Sequence, residues 1–317
     1  MQYGPRLKAL LVYLQAYQLL PYDRTCEVLR DLFQIQPAAG TLEASLETAY
    51  QALAPVEARI FEALVHAAVV NYDETGIRIN GHGHWLHQAG TATLTFFAHH
   101  ARRGREAMVA VSPLAYAQGV AVHDALLSYL SFDCAHALCN AHLLRELIAL
   151  SEQGHTWAAQ LRTLLLDIKQ AIATAKQQAQ RALPEAQLQA FELAYTRLVA
   201  GAQQDNPRSP PDLDRWGGGR HKQTPACNLL QRLSSQREAI LRFMHDFAVP
   251  FDNNLAERDL RMTKLRQKIS GCFRSEAGAS TFCRLRGYIS TLRKQGLPIL
   301  SALESAILGT PLLPNFD

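Results

Sequence analysis

Three acidic residues stand apart by position in the sequence: Asp73, Asp124 and Glu257. Asp73 ends the short apolar run Val69-Val70-Asn71-Tyr72, and Asp124 ends the run Gly119-Val120-Ala121-Val122-His123. Both runs read as strands, the first and the fourth in chain order. Glu257 falls in the first turn of a late helix that opens at Asp252-Asn253-Asn254. Phosphodiester chemistry assisted by two metal ions needs carboxylates that converge from separate elements on ions about 3.5–4 Å apart, so wide spacing along the chain is expected. One ion activates an attacking water or 3′-hydroxyl and the other stabilises the leaving oxygen, so no nucleophilic side chain is required. Each acid also has an ordinary reading. Asp73 could open a turn at Asp73-Glu74-Thr75-Gly76, Asp124 could cap a helix from Ala125, and Glu257 could pair with Asn254 in a capping box or with Arg261 one turn on. Their joint placement on strand ends and a helix start favours the catalytic reading.

Two further patterns lie near these acids. The segment Cys134-Ala135-His136-Ala137-Leu138-Cys139-Asn140-Ala141-His142 has a His-x2-Cys-x2-His spacing that suggests zinc, but no second ligand pair stands at zinc-finger distance. Cys139 reads better as buried at a strand end, with His142 and Arg145 facing a substrate phosphate or orienting the metal ligands. From Arg258 to Arg274 there are six Lys or Arg residues against one acid, Asp259. On a continuing helix Arg261, Lys264 and Lys268 share the face of Glu257, while Met262, Leu265 and Ile269 form an apolar face about 100° away. That stripe, with Arg258 and Arg274 beside it, is a candidate phosphate-contacting surface; the alternative is a solvated basic face.

The elements that must position these residues follow from hydrophobic periodicity. Residues 1–67 read as a helical region, with Leu7, Leu10, Leu11 and Leu14 on one face and Val28, Leu29, Leu32 and Phe33 on another. After the turn Gln36-Pro37-Ala38-Ala39-Gly40, Thr41 is placed to cap a further helix. This pair could be a helix-turn-helix, but its second helix carries Glu43 and Glu47 and no Lys or Arg, which favours a plain αα-hairpin. Residues 68–142 read as three antiparallel strands, around Val69–Asp73, Trp85–Ala89 and Leu94–Ala98, then a helix from Arg105 to Ala117 and the strand ending at Asp124. That order is the first part of a ribonuclease-H-like core. Residues 143–249 form a helical insertion with a mobile connector near 206–224, where turn residues and a small basic cluster gather, and residues 250–317 supply helices that complete the core. The fold class is therefore mixed α/β.

Composition sets outer limits. A chain of 317 residues, 48% hydrophobic and 19% charged, can bury a substantial core. Its net charge of +4 is too mild to announce a nucleic-acid partner without the local basic run. Six scattered cysteines suit reduced thiols. No signal peptide is visible, and the longest apolar stretch, near Ile60 to Val70, falls short of the ~20 residues of a membrane span, so a cytoplasmic protein is expected.

With these residues in view, the sequence resembles the IS66 family of insertion-sequence transposases. The resemblance rests on Asp73-Glu74-Thr75-Gly76, Trp85-Leu86-His87, Gly119 to Asp124, Leu138-Cys139-Asn140-Ala141-His142 through Leu147, and above all Pro250-Phe251-Asp252-Asn253-Asn254-Leu255-Ala256-Glu257-Arg258-Asp259-Leu260-Arg261. It continues through Lys268 to Arg274 and Tyr288 to Gly296. It implies a DDE-type transposase on a ribonuclease-H-like core, with Asp73, Asp124 and Glu257 as the triad, Mg²⁺ as the working ion and Mn²⁺ as its substitute. It also implies that Cys139 and His142 form the Cys-x2-His element seen near the active site of several transposase families. DNA, as transposon ends and as target, is the implied partner. A homodimer in a synaptic complex, accessory proteins of the same element and a nucleoid-associated bacterial setting go with that reading, and no membrane does. Such enzymes usually carry an N-terminal zinc-binding segment, which this sequence lacks, so end recognition is expected to be missing or shared. Where the family tends to have Gly-Trp after the second acid, Ala125 and Leu126 stand here, and the lost glycine is expected to strain the loop. The same residues allow two other readings, a silent DNA-binding remnant and a nuclease or resolvase that only hydrolyses.

Overall fold

The structure is a computed structural model that describes residues 3–208 and 223–317. Those residues form a mixed α/β fold. Four helices come first: α1 (Pro5–Val12), prolonged by a π-helical turn at Tyr13–Tyr17, then α2 (Tyr22–Phe33), α3 (Ala39–Ala52) and α4 (Ala54–His66). The strands β1 (Val69–Ile79), β2 (His82–Gly90) and β3 (Thr95–His100) follow, then α5 (Arg105–Val111), β4 (Val120–His123) and β5 (Ala135–Leu138). The rest is helical: α6 (Asn140–Glu152), α7 (Thr156–Gln177), α8 (Glu185–Asp205), α9 (Pro225–Ser235), α10 (Arg237–His245), α11 (Asn254–Ser270), α12 (Glu276–Lys294) and α13 (Ile299–Ile307). The five strands make one sheet in the order β3-β2-β1-β4-β5, and β1–β2 and β2–β3 pair antiparallel. No helix among the described residues is long and apolar enough to cross a membrane. No disulfide joins the six cysteines.

The chain divides into two compact units, one of Met1–Ala121, Leu126–Cys134 and Asn254–Asp317, the other of Val122–Ala125 and Ala135–Asn253. In the first, α12 lies across β3. Its Gly287 leaves room for that crossing, since a Cβ there would stand 3.1 Å from the Thr95 carbonyl oxygen. Thr291 Oγ1 accepts the Thr95 N–H at 3.0 Å. Leu285, Tyr288, Ile289 and Leu292 of α12 join Val56, Ile60 and Leu64 of α4 and Val70 and Tyr72 of β1 in one buried cluster. In the second unit, α6 buries Leu143, Leu147 and Leu150, and α7 buries Leu161, Leu165, Ile168 and Ile172, each set at helical spacing. The Tyr195 hydroxyl of α8 donates to the Leu233 carbonyl of α9 at 2.9 Å.

Several sequence expectations are corrected at this level. β1 runs through Asp73-Glu74-Thr75-Gly76 as far as Ile79, so Asp73 lies mid-strand and not at the strand end. Pairing with β2 explains the extension: Asp73 opposes Gln88 and Gly76 opposes Trp85, and the turn comes at Asn80-Gly81, both at positive φ. The helix expected over Arg105 to Ala117 stops at Val111, because Pro113 cannot continue it; a 3-10 turn at Pro113–Tyr116 follows, with Ser112 as its cap. Thr41 does not cap α3, which begins at Ala39, so Thr41 lies inside the first turn. Leu32 and Phe33 are exposed, and the buried residues of α2 are Thr25 and Leu29. In α11 the buried positions are Ala256, Leu260 and Thr263, while Leu265 and Ile269 are exposed, so the buried face lies about 150° around the helix from the expected one, on the other flank of the basic face. Most of the connector expected near 206–224 lies outside the described residues.

Candidate active-site groove

Strand alternation decides which acids of β1 reach the surface. Asp73 and Glu74 are neighbours and point to opposite faces of the sheet. Glu74 is buried: its carboxylate accepts from Arg103 Nε at 2.7 Å and from the Tyr129 hydroxyl, and Arg103 stacks over the Trp85 ring at 4.7 Å. Asp73 is half-buried, and its Oδ1 accepts the Glu74 N–H at 2.8 Å. Asp73 and Glu257 line one open groove of about 430 Å³ in the first unit, together with Thr75, Leu260, Arg261, Lys264, Leu265 and Lys268; Glu74 also borders it, with its carboxylate engaged by Arg103 and Tyr129. The helical reading of Glu257, Arg261, Lys264 and Lys268 as one face is therefore what α11 presents. Arg258 and Arg274 are exposed but are not part of the groove lining.

The helix that carries Glu257 is tied down at several points. Gln267 Nε2 donates to the Gly76 carbonyl of β1 at 2.8 Å, and Lys264 Nζ reaches the same oxygen at 3.4 Å. Past its C-terminus, Phe273 pairs with the end of β1: its N–H donates to the Arg78 carbonyl at 2.9 Å, and its carbonyl accepts the Asn80 N–H at 2.8 Å. The Arg266 guanidinium is sandwiched against Phe273, 3.6 Å from the ring centroid, with Phe282 at 5.2 Å, and burial lowers its pKa to about 10. Asp259 turns inward, where its Oδ2 accepts from Lys294 Nζ at 2.8 Å, Gln88 Nε2 at 3.1 Å and Thr95 Oγ1 at 3.2 Å. Burial pulls the Lys294 pKa down and Asp259 works against it.

The remaining expected site residues lie in the second unit. Asp124 directly follows β4. The ring Nδ1 of His123 hydrogen-bonds the Asp124 carbonyl oxygen; an oxygen of that kind only accepts, so Nδ1 carries the proton and Nε2 accepts from His136 Nδ1, 3.0 Å away. Burial pushes the His123 pKa down to about 4. Ala125 and Leu126 are absent from the residues at positive φ, so the strain expected from a missing glycine does not arise. Cys139 is buried directly after β5, as its sequence suggested, and its sulfur accepts the Asn253 N–H at 3.2 Å. Asn140 clamps the same stretch, donating its N–H to the Phe251 carbonyl at 3.1 Å and its side-chain amide to the Ile240 carbonyl at 3.1 Å. His142 is half-buried in the first turn of α6, and Arg145 is exposed one turn further along. Sequence reasoning passed over Glu74, Arg103, Tyr129, Gln88 and Lys294. The one signal was Asp259, an acid alone within a basic run.

Carboxylates and a row of cations in one groove suit a protein that handles a phosphodiester chain. The model of the family described as "Transposase IS66 family" matches residues 1–281, and the chain belongs to that family. No curated protein matches it. Membership supports a role in transposition and implies binding to DNA.

Proposed function

We propose that this chain cuts and joins DNA strands by the DDE mechanism, with Asp73, Asp124 and Glu257 as its three carboxylates, on a ribonuclease-H-like core. The observation that carries the proposal is the shared groove of Asp73, Glu257 and the cations Arg261, Lys264 and Lys268. The antiparallel meander β1–β2–β3, followed by α5 and β4, and the sheet order β3-β2-β1-β4-β5 support the core assignment. Asp124 joins the triad from its place directly after β4 and from the family motif.

The donor chemistry fits a hard divalent cation, because carboxylate oxygens in an open groove suit Mg²⁺, or Mn²⁺ in its place. Asp73, Asp124 and Glu257 would hold two such ions, which would supply positive charge to acidify the attacking hydroxyl and to offset charge on the leaving oxygen. The chain's own residues do the rest. Arg261, Lys264 and Lys268 hold the phosphates that flank the reacting one, and Arg258 and Arg274 add exposed charge beside them. The Glu74–Arg103–Tyr129 network holds the other face of β1, so Asp73 stays turned toward the groove. Cys139 and Asn140 hold the segment before α11, with His142 and Arg145 at the head of α6.

The test is cleavage of a labelled duplex carrying the element's terminal repeat, with Mg²⁺ or Mn²⁺, by the wild type and by Glu257→Gln. Wild-type nicking at the repeat end is expected, with strand transfer to a target duplex, while the variant binds equally well and cuts roughly a hundredfold or more slowly. Binding without cutting by the wild type would make the chain a DNA-binding remnant, and cutting without joining would make it a nuclease.

A further inference from the structure

We infer that Asp259 is a positioning residue that sets Glu257 against Asp73. The inference rests on the metal-carboxylate reading of the groove and adds what aligns its two sides. An acid amid six basic residues would repel phosphate if it faced the groove. Asp259 faces the other way. Its Oδ2 receives three hydrogen bonds from three elements: Lys294 of α12, Gln88 of β2 and Thr95 of β3. Lys294 Nζ in turn donates to the Thr91 and Leu94 carbonyls at 2.8 and 2.9 Å, so all three ammonium protons are used.

Gln88 gives this hub its bearing on the site. It is the residue of β2 directly opposite Asp73 in the register, and it donates to a side chain two residues beyond Glu257. One short path therefore runs from the Asp73 backbone through Gln88 and Asp259 to the turn of helix that carries Glu257. Neighbouring backbone is shaped to this path. A Cβ on Gly90 would stand 2.8 Å from Gln88 Nε2 and 2.9 Å from the Leu94 oxygen, so no larger residue leaves the amide where it is. A metal site tolerates little error in the spacing of its ligands, and groups that orient ligands from behind typically change metal affinity by about 10–100-fold.

The experiment measures Mn²⁺ binding to the full chain without DNA by electron paramagnetic resonance, for the wild type, Glu257→Gln, Asp259→Asn and Gln88→Met. DNA affinity and the thermal midpoint are recorded beside it. Asp259→Asn and Gln88→Met are expected to weaken Mn²⁺ binding by roughly tenfold, with DNA affinity unchanged and with cleavage recovering at saturating Mn²⁺. Gln88→Met leaves the Asp259–Lys294 ion pair in place, so it serves if Asp259→Asn fails to fold. Wild-type Mn²⁺ affinity in a folded Gln88→Met or Asp259→Asn chain overturns this inference alone. Undiminished Mn²⁺ binding in Glu257→Gln overturns the metal-site reading itself.

Discussion

Adjacent acids in β1 have opposite duties because a strand turns successive side chains to opposite faces. Asp73 opens to the groove, while the carboxylate of Glu74 is taken up by Arg103 and Tyr129. Stripping one partner from a fully buried ion pair costs about 3–5 kcal/mol. Here the Arg103 side chain is 41% exposed and regains water when Glu74 is lost, so Glu74→Ala should cost less, about 1–3 kcal/mol in urea unfolding. A second residue-scale expectation concerns His87, which burial holds at a pKa of about 4, with His100 and Arg103 pushing the same way and the Arg102 carbonyl opposing. The folded value lies below the ordinary 6.5, so the unfolded chain takes up the proton first and stability falls as pH drops from about 6.5 toward 4. The loss approaches about 3 kcal/mol at the acid end, and His87→Gln should make the fall of the thermal midpoint between pH 7 and 5 shallower, with the share of the buried His123 remaining. A midpoint equally steep in the variant would assign the acid sensitivity elsewhere. Asp73 and Glu257 were readable from residue type and motif. The partners of Glu74 were not, since they lie 29 and 55 residues away and nothing local pairs them.

At the scale of elements, α11 brings Glu257 and the row of cations to the groove. Its basic face was legible because helical spacing alone puts Glu257, Arg261, Lys264 and Lys268 on one side. Its buried face was misread, since Leu265 and Ile269 look like core residues yet remain exposed. The helix is held by Gly76, Gln88, Thr95 and Lys294 through polar contacts, and hydrophobicity does not forecast those. If the face contacts phosphates, Arg261→Ala, Lys264→Ala and Lys268→Ala should each reduce the slope of log affinity against log salt by about one unit. Three unchanged slopes would make it a solvated face. The approach to β4 sets another constraint. A Cβ on Gly119 would meet the Ala67 and Ala68 carbonyl oxygens at 2.3 and 2.4 Å, so Gly119→Ala must shift backbone. The expected cost is about 3 kcal/mol or more in thermal unfolding, beyond the usual range for a surface alanine.

For the whole molecule, one chain supplies one set of Asp73, Asp124 and Glu257, whereas transposition acts on two ends. We therefore expect two copies to assemble on DNA, read as a doubling of protein mass in light scattering when a terminal-repeat duplex is added; a mass that stays at one chain per duplex would argue against a synaptic dimer. By itself the sequence determined the mixed α/β class and the helices that open the chain, and it pointed to the acids and cations at stake, because periodicity and residue type act over a few residues. It also supported the family, which the family match over residues 1–281 bears out. The tertiary structure alone decided that β1 continues through Asp73 to Ile79, because the pairing partner β2 supplies the hydrogen bonds that a local turn would otherwise provide. It alone turned Asp259 inward, because a charged side chain goes where a buried ammonium, an amide and a hydroxyl meet, and those three come from α12, β2 and β3, brought together only by folding.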